Sequence, residues 1–233
     1  MGAPVACRKN SITLSFLIRV FIPDTPGSLG LLATAFGDAG INIRSVDIVE
    51  SFEDGTVTDD MVVELPAGAL ADSVLTTAAQ VPGVEIDSIR PFSGRVDRRG
   101  QIKLLASIAA QRSDAAALQE VCSAIPNALT STWAIVIDNT DPIRRVAWSE
   151  AAPEDDGSTP AAIDVTGPRI LNPEREEWIP DSWALLDSAL AAAPLGKSGK
   201  VLVMGRVGGP EFLASEVEHL GHLGTIVGAF LRH

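Results

Sequence analysis

Cysteine is nearly missing from this sequence: Cys7 and Cys122 are the only two in 233 residues. A disulfide framework and a CxxC metal site are both excluded. Histidine is almost as scarce, occurring only at 219, 222 and 233. No histidine in the first 218 residues is there to activate a serine or cysteine, no GxSxG occurs, and Cys122 falls in an apolar helical stripe. Positive charge is short as well, with Lys plus Arg 18 against Asp plus Glu 30 and a net charge of −12. Nucleic-acid binding needs a clustered basic surface, and Arg95, Arg98 and Arg99 are too few to supply one. Long apolar runs are absent, and no apolar core follows Arg8 and Lys9. The expectation is a cytoplasmic protein with no membrane partner. Tyrosine is absent altogether, without a physical account.

What is present is globular composition, 46% hydrophobic and 21% charged, enough for one large domain or two ordinary ones. Residues 1–13 read as a tail. From Leu14 to Ile22, "LSFLIRVFI" is an apolar strand. "DTPGSLGLLATAFGDAGINI" then places Thr25 as an N-cap and Pro26 at the first helical position, where its missing N–H costs nothing. Leu29, Leu32, Ala33 and Phe36 recur at helical spacing. Gly40 supplies a left-handed stop, and Ile41 and Ile43 open a strand. Asp54-Gly55 marks a hairpin, after which Val57, Met61, Val63 and Leu65 alternate with polar residues at most positions. Leu70, Val74, Leu75 and Ala78 form a second helical stripe, and "VPGVEIDSIRPF" a last strand. The order βαββαβ folds as a ferredoxin-like split sheet with both helices on one face.

Residues 92–100 carry the proline, glycine and charge of a linker. Beyond them, 101–233 read as a second α+β domain. It has two Ala- and Leu-rich helices, a hairpin of "WAIVID" and "IRRVAWS" about Asn139-Thr140-Asp141-Pro142, a strand "GKVLVMGRV" and a closing helix. "EAAPEDDGSTPAA" has almost nothing to bury and reads as a mobile loop that tolerates shortening. "SWALLDSALAAAPLG" is ambiguous: composition favours helix, whereas the Gly-Lys-Ser-Gly turn after it suits the first arm of a hairpin.

Several motifs carry no chemistry. "LGKSGK" has Ala191 where a phosphate-binding loop needs glycine, and a strand follows where a helix is required. His219 and His222 lack a third ligand, so they are half-buried or solvated side chains. Gly221, Gly224 and Gly228 suit close packing of the last helix. The opening loop is different. The free N–H groups at a helix start favour a carboxylate, and Asp24 beside them suits an ammonium. Asn42 both donates and accepts. Such a set suits a free amino acid.

"IRVFIPDTPGSLGLLATAFGDAGINIRSVDI", with "VPGVEIDSIRP", resembles the ACT domain, an amino-acid-sensing regulatory module, over about residues 14–91. The resemblance implies modules paired through their sheets into a homo-oligomer, with ligand sites where the opened loop of one module meets its partner. Carried over by position, the ligand residues are Asp24, Thr25, Pro26, Gly27, Ser28, Leu29, Asn42 and Ile43. Some members carry a polar side chain two residues before the Asp, where this chain has Ile22. Residues 101–233 resemble, more faintly, a GAF-type domain. That resemblance rests on "LQEVCSAIPNALTSTWAIVIDN", on "SALAAAPLGKSGKVLVMGRVGGPEF" and on the final helix, and it makes the ambiguous stretch a strand. The expectation is a sensor without catalytic activity, cofactor or metal that binds an amino acid or similar small ligand, its packing read by the second domain or by a partner such as an enzyme. The alternative is a ligand-free dimerising scaffold that regulates such an enzyme.

Overall fold

A computed structural model describes residues 14–92, 98–157, 160 and 162–231. The expected tail 1–13 lies outside the described residues, as do Cys7, His233, Ser158, Thr159, Ala161 and the 93–97 part of the linker segment. The chain separates into two compact units, Met1–Ser93 and Gly94–His233.

In the first unit, strand β1 (Ser15–Pro23) leads to helix α1 (Ser28–Asp38). Strands β2 (Asn42–Ser51) and β3 (Thr56–Glu64), helix α2 (Asp72–Ala78) and strand β4 (Glu85–Pro91) follow. The sheet order is β2-β3-β1-β4 with antiparallel neighbours throughout. Ile18, Val20 and Ile22 of β1 pack with Met61, Val63, Leu32, Phe36, Val74 and Ala78 in one core. The helix stripes differ in detail from their sequence reading. α1 buries Leu32 and Phe36, while Leu29 is 40% exposed and Ala33 is also exposed; Leu70 is exposed and lies before α2, and within α2 Leu75 is exposed and Thr77 buried instead. The cause is length: a helix of two or three turns over a twisted sheet meets it with only one or two residues per turn.

Gly40 ends α1 as expected. It has φ +74°, and the Ile41 N–H returns to the Phe36 carbonyl (2.8 Å) in a Schellman turn. At the hairpin, Gly55 has φ +82°, and Asp54 Oδ1 accepts the Thr56 N–H (3.0 Å) and hydroxyl (2.6 Å). These bonds hold the Asp54 carboxyl below its ordinary range. On β3 the polar residues Thr58, Asp59 and Asp60 are buried too. Arg19 and Asp60 form a two-pronged ion pair at 2.8 and 2.9 Å.

In the second unit, helix α3 (Arg98–Ala109) opens inside the segment read as a linker. Helix α4 (Asp114–Ala128) and strands β5 (Trp133–Asp138), β6 (Arg144–Trp148) and β7 (Arg169–Leu171) follow. A 3₁₀ turn (Asp181–Trp183) precedes strands β8 (Ala189–Pro194) and β9 (Lys200–Arg206) and helix α5 (Ala214–Phe230). The antiparallel sheet runs β6-β5-β9-β8-β7. Alternation buries both faces. Ala134, Val136, Ala191, Leu202 and Met204 pack with the three helices, whereas Trp133, Ile135, Ile137, Leu190 and Val203 pack with Ile163, Val165, Ile179 and Trp183.

Within the ambiguous stretch, Ala189–Pro194 are therefore the strand β8, after a 3₁₀ turn at Asp181–Trp183, and close packing bears on its small residues. A Cβ on Gly224 would stand 2.6 Å from the Pro194 carbonyl, and one on Gly228 2.5 Å from Leu195 backbone atoms. α5 thus lies directly against the end of β8, which leaves room for alanine and little more. Gly205 serves the other face, where a Cβ would fall 2.1 Å from the ring of Trp133. "LGKSGK" is the β8–β9 hairpin turn, with Gly196 and Gly199 at positive φ. The acidic segment is irregular, yet Ala152 packs against the Trp-rich core and Arg145 Nη1 donates to the Pro153 carbonyl.

Candidate functional site

The opening loop sits at the C-terminal end of β1. The Asp24 N–H donates to the Gly55 carbonyl (2.8 Å), tying the loop to the β2–β3 turn. Thr25 is not the N-cap and Pro26 is not the first helical residue. Gly27, at φ +98°, precedes the helix, and no side chain caps it. A left-handed residue there reverses the chain later than a Thr25 cap would, so the helix begins at Ser28. The Thr25 hydroxyl instead meets that of Ser28 at 2.7 Å, and the Thr25 carbonyl accepts the Ser28 N–H (3.2 Å). The Leu31 N–H is taken by Gly27 (2.9 Å). Leu29 and Gly30 keep their N–H groups without a partner among the described residues, at the positive end of the helix. Asp24 to Gly27 are exposed and Ser28 half-buried, so within one copy the loop is a rim. Ile22, where some ACT members have a polar group, is buried in the core.

Asn42 and Ile43 are not beside this loop in the same copy. Asn42 pairs with Glu64, and Glu64 pairs with Ser15 at the start of β1, whereas the loop follows the Pro23–Thr56 pair at the other end. At ~3.3 Å per residue the two groups stand roughly 26 Å apart along the sheet. Asn42 is exposed and Ile43 half-buried against the core. The Asn42 amide lies 3.5 Å from Glu64 Oε2, which Arg44 also approaches at 3.6 Å.

Asp59 is the polar residue that sequence reasoning passed over. It pairs with Val20 and Ile48, and alternation sets it on the face of Met61 and Val63. It is 2% exposed, and its Oδ1 has no hydrogen-bond partner among the described residues. Burial pushes its carboxyl above the ordinary range, and Asp60, Asp47 and Asp24 add to the shift. The signal was in the sequence: 57, 61, 63 and 65 are apolar, and the beat at 59 is missing.

Other chemistry is thin. Cys122 is fully buried, and burial pushes its thiol up to about 12, so it is no nucleophile at neutral pH. Among the described residues, no three His, Cys, Asp or Glu side chains gather as metal ligands, and no helix is long and apolar enough to cross a membrane.

No curated protein matches the sequence. Among solved structures, the chain is similar to the GAF domain of a putative sensor histidine kinase from Pseudomonas syringae pv. tomato. The identity is 17%, over 57% of this chain and 86% of that one, with TM-score 0.42. It is also similar to the A. aeolicus nlh2 GAF domain in an inactive state, at 15% identity over 57% of this chain and 96% of that one, with TM-score 0.40. A third is the free methionine-R-sulfoxide reductase from Neisseria meningitidis in complex with its substrate, at 12% identity over 60% and 93%, with TM-score 0.47. The family model of the ACT domain matches residues 16–82, the stretch that holds the loop, the Gly-x-Asn-Ile turn and the first three strands. The first unit of this chain is an ACT domain.

Proposed function

We propose that this protein is a non-catalytic regulatory sensor of the cytoplasm, in which two copies hold a free amino acid or similar small ligand between their ACT domains. One observation carries the reading. The loop's acceptor for an ammonium, Asp24, and its donors for a carboxylate, the Leu29 and Gly30 N–H groups, stand at one end of a sheet, and Asn42 stands at the other. No single copy joins them. β2, however, is an edge strand with its outer side unpaired among the described residues. Antiparallel pairing of two β2 edges about a two-fold axis sets Asn42 of one copy against Ser51 of the other, level with the second copy's loop. Each seam then holds one loop and one Asn42, and the ligand favours the paired packing over the unpaired one. The second unit or a partner enzyme reads the difference.

The test is complementation. Asp24→Ala and Asn42→Ala should each lose calorimetric affinity for the responding amino acid by about 1.5–3 kcal/mol, the usual cost of a charged hydrogen-bond partner. Mixing the two variants should restore parental affinity at about a quarter of the sites, because half of the random dimers carry one intact seam. No recovery on mixing would sink the shared site. Silence of the parent toward every amino acid would leave the dimerising scaffold as the function.

A further inference from the structure

Two aspartates stand side by side on β3, and the fold treats them differently. Asp60 faces the side of the sheet turned away from the helices, where Arg19 takes both of its oxygens at 2.8 and 2.9 Å. Asp59 faces the helices. It is buried, and its Oδ1 meets no donor among the described residues. Asp60, Asp47 and Asp24 stand near enough to raise its carboxyl further. A buried carboxylate in this state costs the fold free energy, which a donor from outside the chain would offset.

Asp59 also lies next to the opening loop. It is three residues from Thr56, the partner of Pro23, so it stands roughly 10 Å along the sheet from the point where the loop leaves β1. It shares a rung and a face with Ile48 of the edge strand β2. Ile48 is exposed, so the cover over this face ends one strand from Asp59, on the side of the seam. β2 bulges at the same place. Ile48 pairs with Asp59 but Glu50 pairs with Thr58, and the extra residue, Val49, bends the edge. A molecule at the seam thus meets Asp24 and the Leu29 and Gly30 N–H groups first, and Asp59 lies one strand further in. Among the described residues no three ligands gather to cage a metal ion, whereas an ammonium or guanidinium needs no cage.

We propose that Asp59 is a specificity-determining residue of the seam, selecting a free amino acid whose side chain ends in a cation, an amine or a guanidinium. The inference rests on the seam proposed above. The α-ammonium meets Asp24, the carboxylate meets the helix N–H groups, and the side chain runs past Ile48 until its terminal cation reaches Asp59. The bond formed there is charge-assisted and shielded from water. A neutral side chain of the same length leaves the carboxylate unanswered.

Calorimetry on the full chain compares lysine, ornithine and arginine with two neutral analogues. Norleucine lacks the side-chain amine, and Nε-acetyllysine keeps the chain but loses the charge. At least one cationic amino acid should bind about tenfold more tightly than either analogue. Asp59→Asn should abolish that preference, weakening the cationic ligand about tenfold while norleucine binds as before; Asp24→Ala should weaken both. Equal binding of cationic and neutral ligands overturns the proposal and leaves the seam standing. An Asp59→Asn variant that keeps the preference, or that loses every ligand alike, overturns it too. The same holds if ligand-free Asp59→Asn sediments as monomer where the parent is a dimer, because the carboxylate would then hold the second copy. A parent that binds no amino acid ends the seam, and this reading with it.

Discussion

A buried carboxylate short of donors costs free energy, and Asp59 is 2% exposed with an orphan oxygen. Its folded-state carboxyl is raised, so the folded chain binds a proton more readily than the unfolded one. The associated stability is complete below the unfolded value, about pH 4, and is lost as pH rises through the folded one. Near neutrality the group opposes folding. Asp59→Asn is expected to raise the melting temperature near pH 7 by about 2–4 °C, the shift that about 1 kcal/mol gives in a chain of this size. The gain should shrink toward pH 4, as read by melting scans across the range. An unchanged difference at both ends would show that the charge is not the cause. Asp59 was half legible: the missing apolar beat was visible in the sequence, but its burial required the neighbouring strands.

Elements are where local rules and tertiary contacts disagree. Thr25 and Pro26 suit a helix start by propensity, yet the left-handed Gly27 moves that start to Ser28. The Ala-rich 189–194 stretch is a strand because its neighbours β7 and β9 pair with it, while α5 lies close against its end at Ala193 and Pro194. The loop after β7 is organised by Glu176, whose carboxyl Arg169 holds below its ordinary range, helped by the Asn172 N–H and the Trp178 indole. A lowered carboxyl contributes stability above its unfolded value, about pH 4.5, and loses it as pH falls through the folded one. Glu176→Gln should cost about 1–2 kcal/mol at neutral pH, the low end for a charged hydrogen-bond set because Arg169 remains 35% exposed. Urea unfolding followed by tryptophan emission measures this, and parent and variant should converge as pH falls through the folded value. Equal stability at neutral pH would mean that the loop is held by its apolar residues alone.

At the scale of the whole molecule, the seam predicts assembly. β2 carries Ile48, 64% exposed, on an edge strand, and Leu31 on α1 is 60% exposed. An edge of this kind is paired or it invites aggregation. Sedimentation should find a dimer or larger at tens of micromolar, roughly the range of weak association. Ile48→Lys should shift it to monomer by setting two charges across the pairing line, with far-ultraviolet dichroism unchanged. A parent that stays monomeric with and without amino acids would remove the seam.

The sequence by itself determined the βαββαβ order, the Gly40 stop and the Asp54-Gly55 hairpin, because apolar spacing and glycine at positive φ act over a few residues, and the loop with its Gly-x-Asn-Ile turn carried the resemblance to the ACT domain. Tertiary structure decided what those rules do not reach. It set Asp24 and Asn42 at opposite ends of one sheet, made a strand of the Ala-rich segment, and turned an acidic, unperiodic stretch into the wall of a cavity. Strand register, helix approach and cavity closure depend on residues far apart in the chain, and no local pattern records them.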